Sequence, residues 1–310
     1  MSAGPHRWRS SPGAAVLALL AATAIWGGTF PVVKDAITPA GPMHVFDYLA
    51  WRFALATLVM AIARPRSVAR LGRTGRRHGV LLGLALGVGF IVQTTGLQRT
   101  PSSVAGFVTG MFVVFTPLVT WAILRRHVSR SAWLAVVVAT VGLALLSAGT
   151  SGDNDTHATA LGLTLVLACA LAYAVHIVGL GEWSALHDSY GLAVVQLATV
   201  TVLCTVAALF EPHRLRPPTD GDAWFAVGLT ALAATALAFI IQTWAQSVLD
   251  PTRASVVMTM EPVWAGVFAV GFAGESMTWA AVVGAVLVVA GMLLTELGSG
   301  REVAQRRLET

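Results

Sequence analysis

Residues 93–119 read QTTGLQRTPSSVAGFVTGMFVVFTPLV, and the landmarks of this stretch recur in the second half of the chain. Gln93-Thr94 is matched by Gln242-Thr243, Thr116-Pro117 by Glu261-Pro262, and Gly142, one segment further on, by Gly291. The offsets are 149, 145 and 149 residues, so the register slips by one helical turn and then recovers. Working outward, ten long apolar segments fall near 14–33, 45–63, 79–98, 103–124, 132–149, 160–180, 191–210, 223–247, 252–273 and 278–296. The last five repeat the pattern of the first five. Five is odd, so two such units in one membrane insert with opposite orientations. The fold class read from this pattern is an all-α membrane protein, ten transmembrane helices as two inverted five-helix repeats. Secondary transporters use that arrangement and hold substrate between the halves near the bilayer midplane. The divisions are a cytoplasmic tail (1–13), a first repeat (14–149), an extracytoplasmic linker (150–159), a second repeat (160–296) and a polar, unstructured cytoplasmic tail (297–310).

Composition agrees. Hydrophobic residues make up 56% of the chain and charged residues 11%, with a mean hydropathy of +0.73. Soluble domains carry roughly 25% charged residues, so this chain lacks the polar surface of a water-soluble globule. In lipid, each spanning helix needs about 20 apolar residues. Cys169 and Cys204 both fall inside apolar segments and read as small core residues, placed neither for a metal site nor for a loop-stapling disulfide. Near the N-terminus, His6, Arg7 and Arg9 precede an apolar run, and Ala22-Thr23-Ala24 imitates a signal-peptide cleavage site. The run continues to Val33 and its loss would break the repeat symmetry, so it reads as a retained first helix.

Arginine sets the expected orientation. With both termini cytoplasmic, the inward side carries fifteen basic residues, six of them between 64 and 77, and the outward side carries four, Lys34, Arg99, Arg214 and Arg216. The positive-inside rule then places both ends in the cytoplasm. The stretch RPRSVARLGRTGRRH (64–78) fixes topology and meets anionic lipid head groups. With no recognition motif beside it, nucleic acid is not read as a partner.

Several runs resemble the drug/metabolite transporter superfamily, in its ten-helix EamA-type branch. They are WGGTFPVVK (26–34), WRF (51–53), the 93–119 stretch, ALAYAVHIVGLGE (170–182), DPTRASVVMTMEPVWAGVF (250–268), GE (274–275) and GAVLVVAGMLL (284–294). The resemblance covers two tandem units of about 17–147 and 161–295. It implies a polytopic inner-membrane carrier that exports amino acids, related metabolites or foreign compounds.

Glu261 is the sharpest candidate site residue. Nine residues into its expected helix, at 1.5 Å per residue, it lies about 14 Å deep. An ionisable group there costs about 3 kcal/mol on insertion scales, so it faces a cavity or a partner. The readings are proton coupling, a site for a substrate amine, or a structural carboxylate paired with Arg52. Arg52 either clamps a substrate carboxylate or serves structure by snorkelling or pairing with Asp47 or Glu261. Pro117 and Pro262 occupy matched mid-helix positions, and each removes a backbone donor owed to the carbonyl four residues earlier. They read as paired hinges or static kinks, with Pro31 as a third candidate hinge.

Gln93 and Gln242 match between repeats at mirrored depths, and Gln246 shares the Gln242 face. Such amides bind substrate or join helices for about 0.6–2 kcal/mol. Trp26, Thr29 and Phe30 follow one another around Gly27-Gly28. Trp26, about 18 Å deep, is too far in for an interfacial belt and reads as cavity wall. His176, Trp244 and Met111 complete the cavity candidates; a lone histidine there takes up a proton during transport or, as is commoner, is satisfied by a neighbouring helix. The pairs Gly83/Gly87 and Gly106/Gly110 have the spacing that lets helices 3 and 4 pack closely, within the bundle or at a dimer seam.

No H-E-x-x-H motif and no second deep carboxylate accompany Glu261, so a membrane-embedded enzyme is disfavoured, and no cofactor or metal is implied. A channel or lipid scramblase is the alternative to a carrier. With no ATP-binding motif, the expected energy source is an ion or substrate gradient. The expected partners are a small-molecule substrate, membrane lipids and protons.

Overall fold

The computed structural model describes residues 11–37, 43–97, 99–100, 102–149, 159–212, 215–273 and 278–308. They form α1 (Pro12–Ile37), α2 (Val45–Ala63), α3 (Ser67–Arg70), α4 (Gly72–Leu97), α5 (Ser102–Gly110), α6 (Phe112–Leu124), α7 (Arg130–Gly149), α8 (Ala160–Trp183) and α9 (Ser189–Phe210). There follow α10 (Gly221–Leu229), a π-helical stretch (Thr230–Leu237), α11 (Ala238–Ala245), α12 (Pro251–Met258), α13 (Met260–Ala273) and α14 (Trp279–Leu308). No strand occurs among the described residues. Residues 1–10 of the expected first tail and 150–158 of the expected linker lie outside this set.

Helix starts follow from local chemistry. Thr159, Asp188, Asp220 and Asp250 cap α8, α9, α10 and α12, each accepting a hydrogen bond from a first-turn backbone N–H. Pro251 occupies the first position of α12, where its missing donor costs nothing. Among the described residues, seven helical stretches are long and apolar enough to cross a membrane: Pro12–Thr29, Val45–Ala63, Gly72–Gly96, Ala105–Leu124, Ala160–Leu186, Ser189–Phe210 and Gly221–Ala245. Arg130–Leu146 and Trp279–Thr295 are apolar but shorter. Large apolar side chains stand on the outside of the bundle, with Leu17 68%, Trp121 64% and Phe210 86% exposed. Lipid, not water, suits that surface.

Two expectations change here. The spans drawn at 103–124 and 252–273 are interrupted, at Met111 between α5 and α6 and at Thr259 between α12 and α13. The polar C-terminal segment is helical as far as Leu308, because α14 runs on past the apolar part.

Glycine sets the tightest helix crossings. A Cβ on Gly27 of α1 would lie 2.7 Å from the Glu261 carbonyl oxygen and 2.8 Å from the Ala265 nitrogen on α13. One on Gly142 of α7 would lie 2.7 Å from the Gly284 carbonyl oxygen on α14. Gly83 and Gly87 of α4 face Gln196, Thr199 and Leu203 on α9, not helix 4 of the sequence reading. The reason is that α4 is flanked by α8 and α9 from the second half, which take up its small-residue face. Gly110 meets Leu143 of α7, and Gly106 has open space within 4 Å.

Two apolar clusters fill the bundle. One includes Leu19, Val113, Val136, Ile177, Val257 and Val288; the other includes Tyr48, Phe53, Leu86, Leu197, Val227 and Phe239. Trp26 and Tyr173, both half-buried, pack against both clusters. The polar interior gathers where they sit.

Candidate functional site

The α10–α11 segment changes register in mid-bundle. Over Thr230–Leu237 it winds as a π-helix, a rare geometry that places carbonyls out of α-helical register. Those groups are used. The Trp26 Nε1–H donates to the Ala234 carbonyl at 2.8 Å, and the Trp26 ring lies 5.8 Å from Phe239. Arg52, 7% exposed, donates from Nε to Thr235 Oγ1 at 2.7 Å and from Nη2 to Ala234 O at 3.4 Å. Its guanidinium also lies 5.6 Å from the Phe53 ring centroid. Arg126–Glu182 is the one ion pair whose two members are both described. Arg52 is therefore held by neutral oxygens, at more than ion-pair distance from Glu261 and Asp47.

Glu261 is the second residue of α13, directly behind the helix break. Its side chain is half-buried, and its carboxyl has no hydrogen bond or ion pair with any described residue. The charge of Arg52 is nonetheless felt there and at Tyr173. One turn further along α13, the Trp264 Nε1–H is buried without an acceptor. A buried donor without a partner is uncommon in a folded interior, so the Trp264 Nε1–H, three residues from the Glu261 carboxyl, marks a place that a ligand can complete.

Gln93 forms the opposite wall. Its amide Nε2 donates to Thr109 Oγ1 at 3.3 Å, and its Oε1 accepts from the Tyr173 hydroxyl at 2.9 Å. Cys169 sits beside Tyr173 and Thr109, so it joins this polar group as well as the core. Tyr173 and Trp264 escaped the sequence reading. Their signal was helical spacing, since Trp264 follows Glu261 by three residues and Tyr173 precedes His176 by three.

The remaining candidates divide. His176, 2% exposed, donates from Nε2 to Gln196 Oε1 at 2.8 Å; Gln196 Nε2 in turn donates to Thr243 Oγ1 at 2.9 Å, and Thr243 to the Phe239 carbonyl at 2.7 Å. This closed chain joins α8, α9 and α11. Gln246 Nε2 donates to the Ile177 carbonyl at 2.9 Å, and its Oε1 accepts from Gln242 Nε2 at 3.2 Å. Gln242 Oε1 is buried without a donor. Thr29 spends its hydroxyl on the Ile25 and Trp26 carbonyls of its own helix, at 2.8 and 3.1 Å. Met111 and Trp244 are half-buried against the first apolar cluster. Phe30 and Pro31 lie on α1, but their side chains are outside the described set.

Breaks in the paired helices lie upstream of the prolines. Met111 separates α5 from α6, with φ −61° and ψ −8°. Thr259 separates α12 from α13, with φ −66° and ψ −6°. Pro117 and Pro262 follow them, inside α6 and α13.

Known proteins can now be set beside this geometry. The EamA-like transporter family matches residues 13–148 and again residues 160–297. An uncharacterized transporter of Archaeoglobus fulgidus is 30% identical over 294 residues, covering 95% of this chain and 88% of its own length. A second from the same organism is 22% identical over 274 residues, covering 87% of this chain and 93% of its own. A solved crystal structure superposes with a TM-score of 0.75 at 21% identity, over 97% of this chain and all of its own; it is a likeness of fold. With two copies of the family's unit over nearly its whole length, the chain belongs to the EamA-like transporter family, and is a multi-pass membrane transporter of the drug/metabolite superfamily, not an enzyme.

Proposed function

We propose that the protein is a secondary active carrier that exports a small metabolite, an amino acid or a related compound or drug, across the cytoplasmic membrane. The observation that carries this is Glu261: a half-buried carboxyl with no hydrogen bond or ion pair among the described residues, electrostatically coupled to Tyr173 and Arg52 and one turn from Trp264. A carboxyl in that setting exchanges its ligand, a proton or a substrate amine, without dismantling the fold. Ten spans in two inverted five-helix repeats, with both ends in the cytoplasm, make up the proposed topology. The proton gradient drives transport through Glu261.

Alternating access needs contacts that part. At the arginine-rich end, which is the cytoplasmic end in this reading, three contacts join the two family-matched halves. Arg126 grips Glu182 through both of its terminal nitrogens. His78 Nδ1 meets His187 Nε2. The Arg64 guanidinium lies 4.9 Å from the Tyr190 ring centroid. These contacts separate when the cytoplasmic side opens. The paired breaks at Met111 and Thr259 are the places where α5–α6 and α12–α13 bend.

Counterflow in proteoliposomes tests the reading, with labelled amino acids and amines and with or without an imposed pH gradient. Saturable flux with counterflow, accelerated by the gradient, is the expected result. Flux that neither saturates nor shows counterflow would make the protein a channel or a lipid scramblase.

A further inference from the structure

A groove of about 410 Å³ runs along the outside of the bundle where α4 meets α8. Leu84 and Val88 of α4 form one rim, Leu171 and Val175 of α8 the other, and Ala85, Ala168 and Ala172 deepen it. All these side chains are apolar. The groove faces lipid, so something from the bilayer must fill it.

What stands above the groove indicates the occupant. Arg73 and Arg77 of α4 are exposed, about three and two turns before the apolar rim begins at Leu84. On a helix of 3.6 residues per turn, Arg73, Arg77, Leu84 and Val88 fall within about 60° of arc, a single face. Arg77 stands about 10 Å above Leu84 and about 16 Å above Val88 along the axis. An acidic group at this level would repel an anion, and Glu182 continues the α8 edge. Its carboxylate is taken up by both Arg126 nitrogens, so the local field stays positive.

We infer that this is a binding site for one anionic phospholipid of the arginine-rich leaflet. Its phosphate sits between Arg73 and Arg77, and one acyl chain lies in the α4–α8 groove. The ligand must carry a negative head and a long apolar tail, because the two features lie on one helix face at successive depths. The inference rests on membrane placement and not on the transport reading. Its occupancy would brace α4 against α8, the junction of the first half with the second.

Native mass spectrometry of the purified protein in mild detergent tests it, with equal amounts of phosphatidylglycerol and phosphatidylcholine of identical chains. Retention of one phosphatidylglycerol in preference to phosphatidylcholine is expected. Arg73→Gln/Arg77→Gln should weaken it on the order of tenfold, as expected for two basic residues at a head group. Arg66→Gln/Arg70→Gln, which removes the same charge from α3, should leave it unchanged. Ala172→Trp, which fills the groove with the arginines intact, should displace the lipid. Equal losses from both arginine pairs would overturn the inference, showing diffuse attraction. So would undiminished binding to Ala172→Trp, or a loss of dimer on that substitution, which would assign the groove to a second copy of the chain.

Discussion

His78 Nδ1 lies 2.9 Å from His187 Nε2, and the His78 ring stacks on Trp183 with centroids 4.3 Å apart. One residue belongs to α4, the other to the connection after α8, so the contact ties the two halves at their arginine-rich end. A hydrogen bond between imidazoles needs one neutral ring as acceptor. Protonating both leaves two cations in contact, with Arg77 acting on His78, Glu182 already engaged and Asp188 capping α9. Acid should therefore loosen this end, because a second proton on the pair removes the acceptor of the hydrogen bond. Ser184, three residues before His187, is buried, 1% exposed. A Ser184→Cys reporter, with Cys169 and Cys204 replaced, should label faster at about pH 5.5 than at pH 7.5 relative to an exposed cysteine. His187→Ala should make labelling fast at both values. Equal protection with and without His187 would remove the pair from any role in closure.

Glu261→Gln keeps the shape of the side chain and removes the exchangeable charge. Since the carboxyl has no hydrogen bond or ion pair among the described residues, thermal stability should stay within about 0.5 kcal/mol, as for substitutions away from paired groups. Gradient-driven flux should fall to background while substrate counterflow persists. Unchanged acceleration by a pH gradient would rule out coupling through this residue.

Arg52 and Thr235 should be energetically linked. Thr235→Val strips a buried guanidinium of one acceptor, at a cost of about 1.5–3 kcal/mol for a bond to a charged group. Arg52→Met/Thr235→Val should cost less than the sum of the two single changes. Additive losses in thermal unfolding would mean that the 2.7 Å contact carries no stability.

Glycine positions give a contrasting pair. Gly27→Val drives side-chain atoms into the α13 backbone, which is not free to shift as a rotamer is, and should destabilise by about 1–3 kcal/mol or more. Gly106 has no neighbour within 4 Å, so Gly106→Ala should be harmless and gain up to about 1 kcal/mol from helix propensity. Melting temperatures in detergent separate the two.

Part of this was legible in the chain. Apolar segments pointed to a helical membrane protein, and seven helices among the described residues are long and apolar enough to cross a membrane; an isolated carboxylate in an apolar segment drew attention to Glu261, because polar groups are costly in lipid. Partner choice was not legible. Arg52 had two carboxylates available by depth, yet a hydroxyl and a carbonyl of the π-helical stretch hold it. Nothing in TALAATAL (230–237) marks that geometry, which goes with the contacts made by Trp26 and Arg52. The prolines drew attention to the right helices, but the breaks settled upstream, at Met111 and Thr259, where i−3 backbone hydrogen bonds tighten the turn. The glycine pair on α4 was seen and its partner missed, since spacing tells that a face is small and not what approaches it.

The π-helical stretch also carries a consequence for how this chain tolerates change in length. A wide turn holds one more residue than an α-helical turn of the same rise. Excising a single alanine between 231 and 236 would let the segment relax into an uninterrupted α-helix with everything downstream facing as it does now, whereas the same excision in an ordinary α-helix would turn all that follows by about 100°. Gln242 and Gln246 would keep to the α8 side, and the loss would fall on the carbonyl and hydroxyl that hold Trp26 and Arg52. The wide turn is thus a place where this chain can shed one residue without re-aiming half a helix.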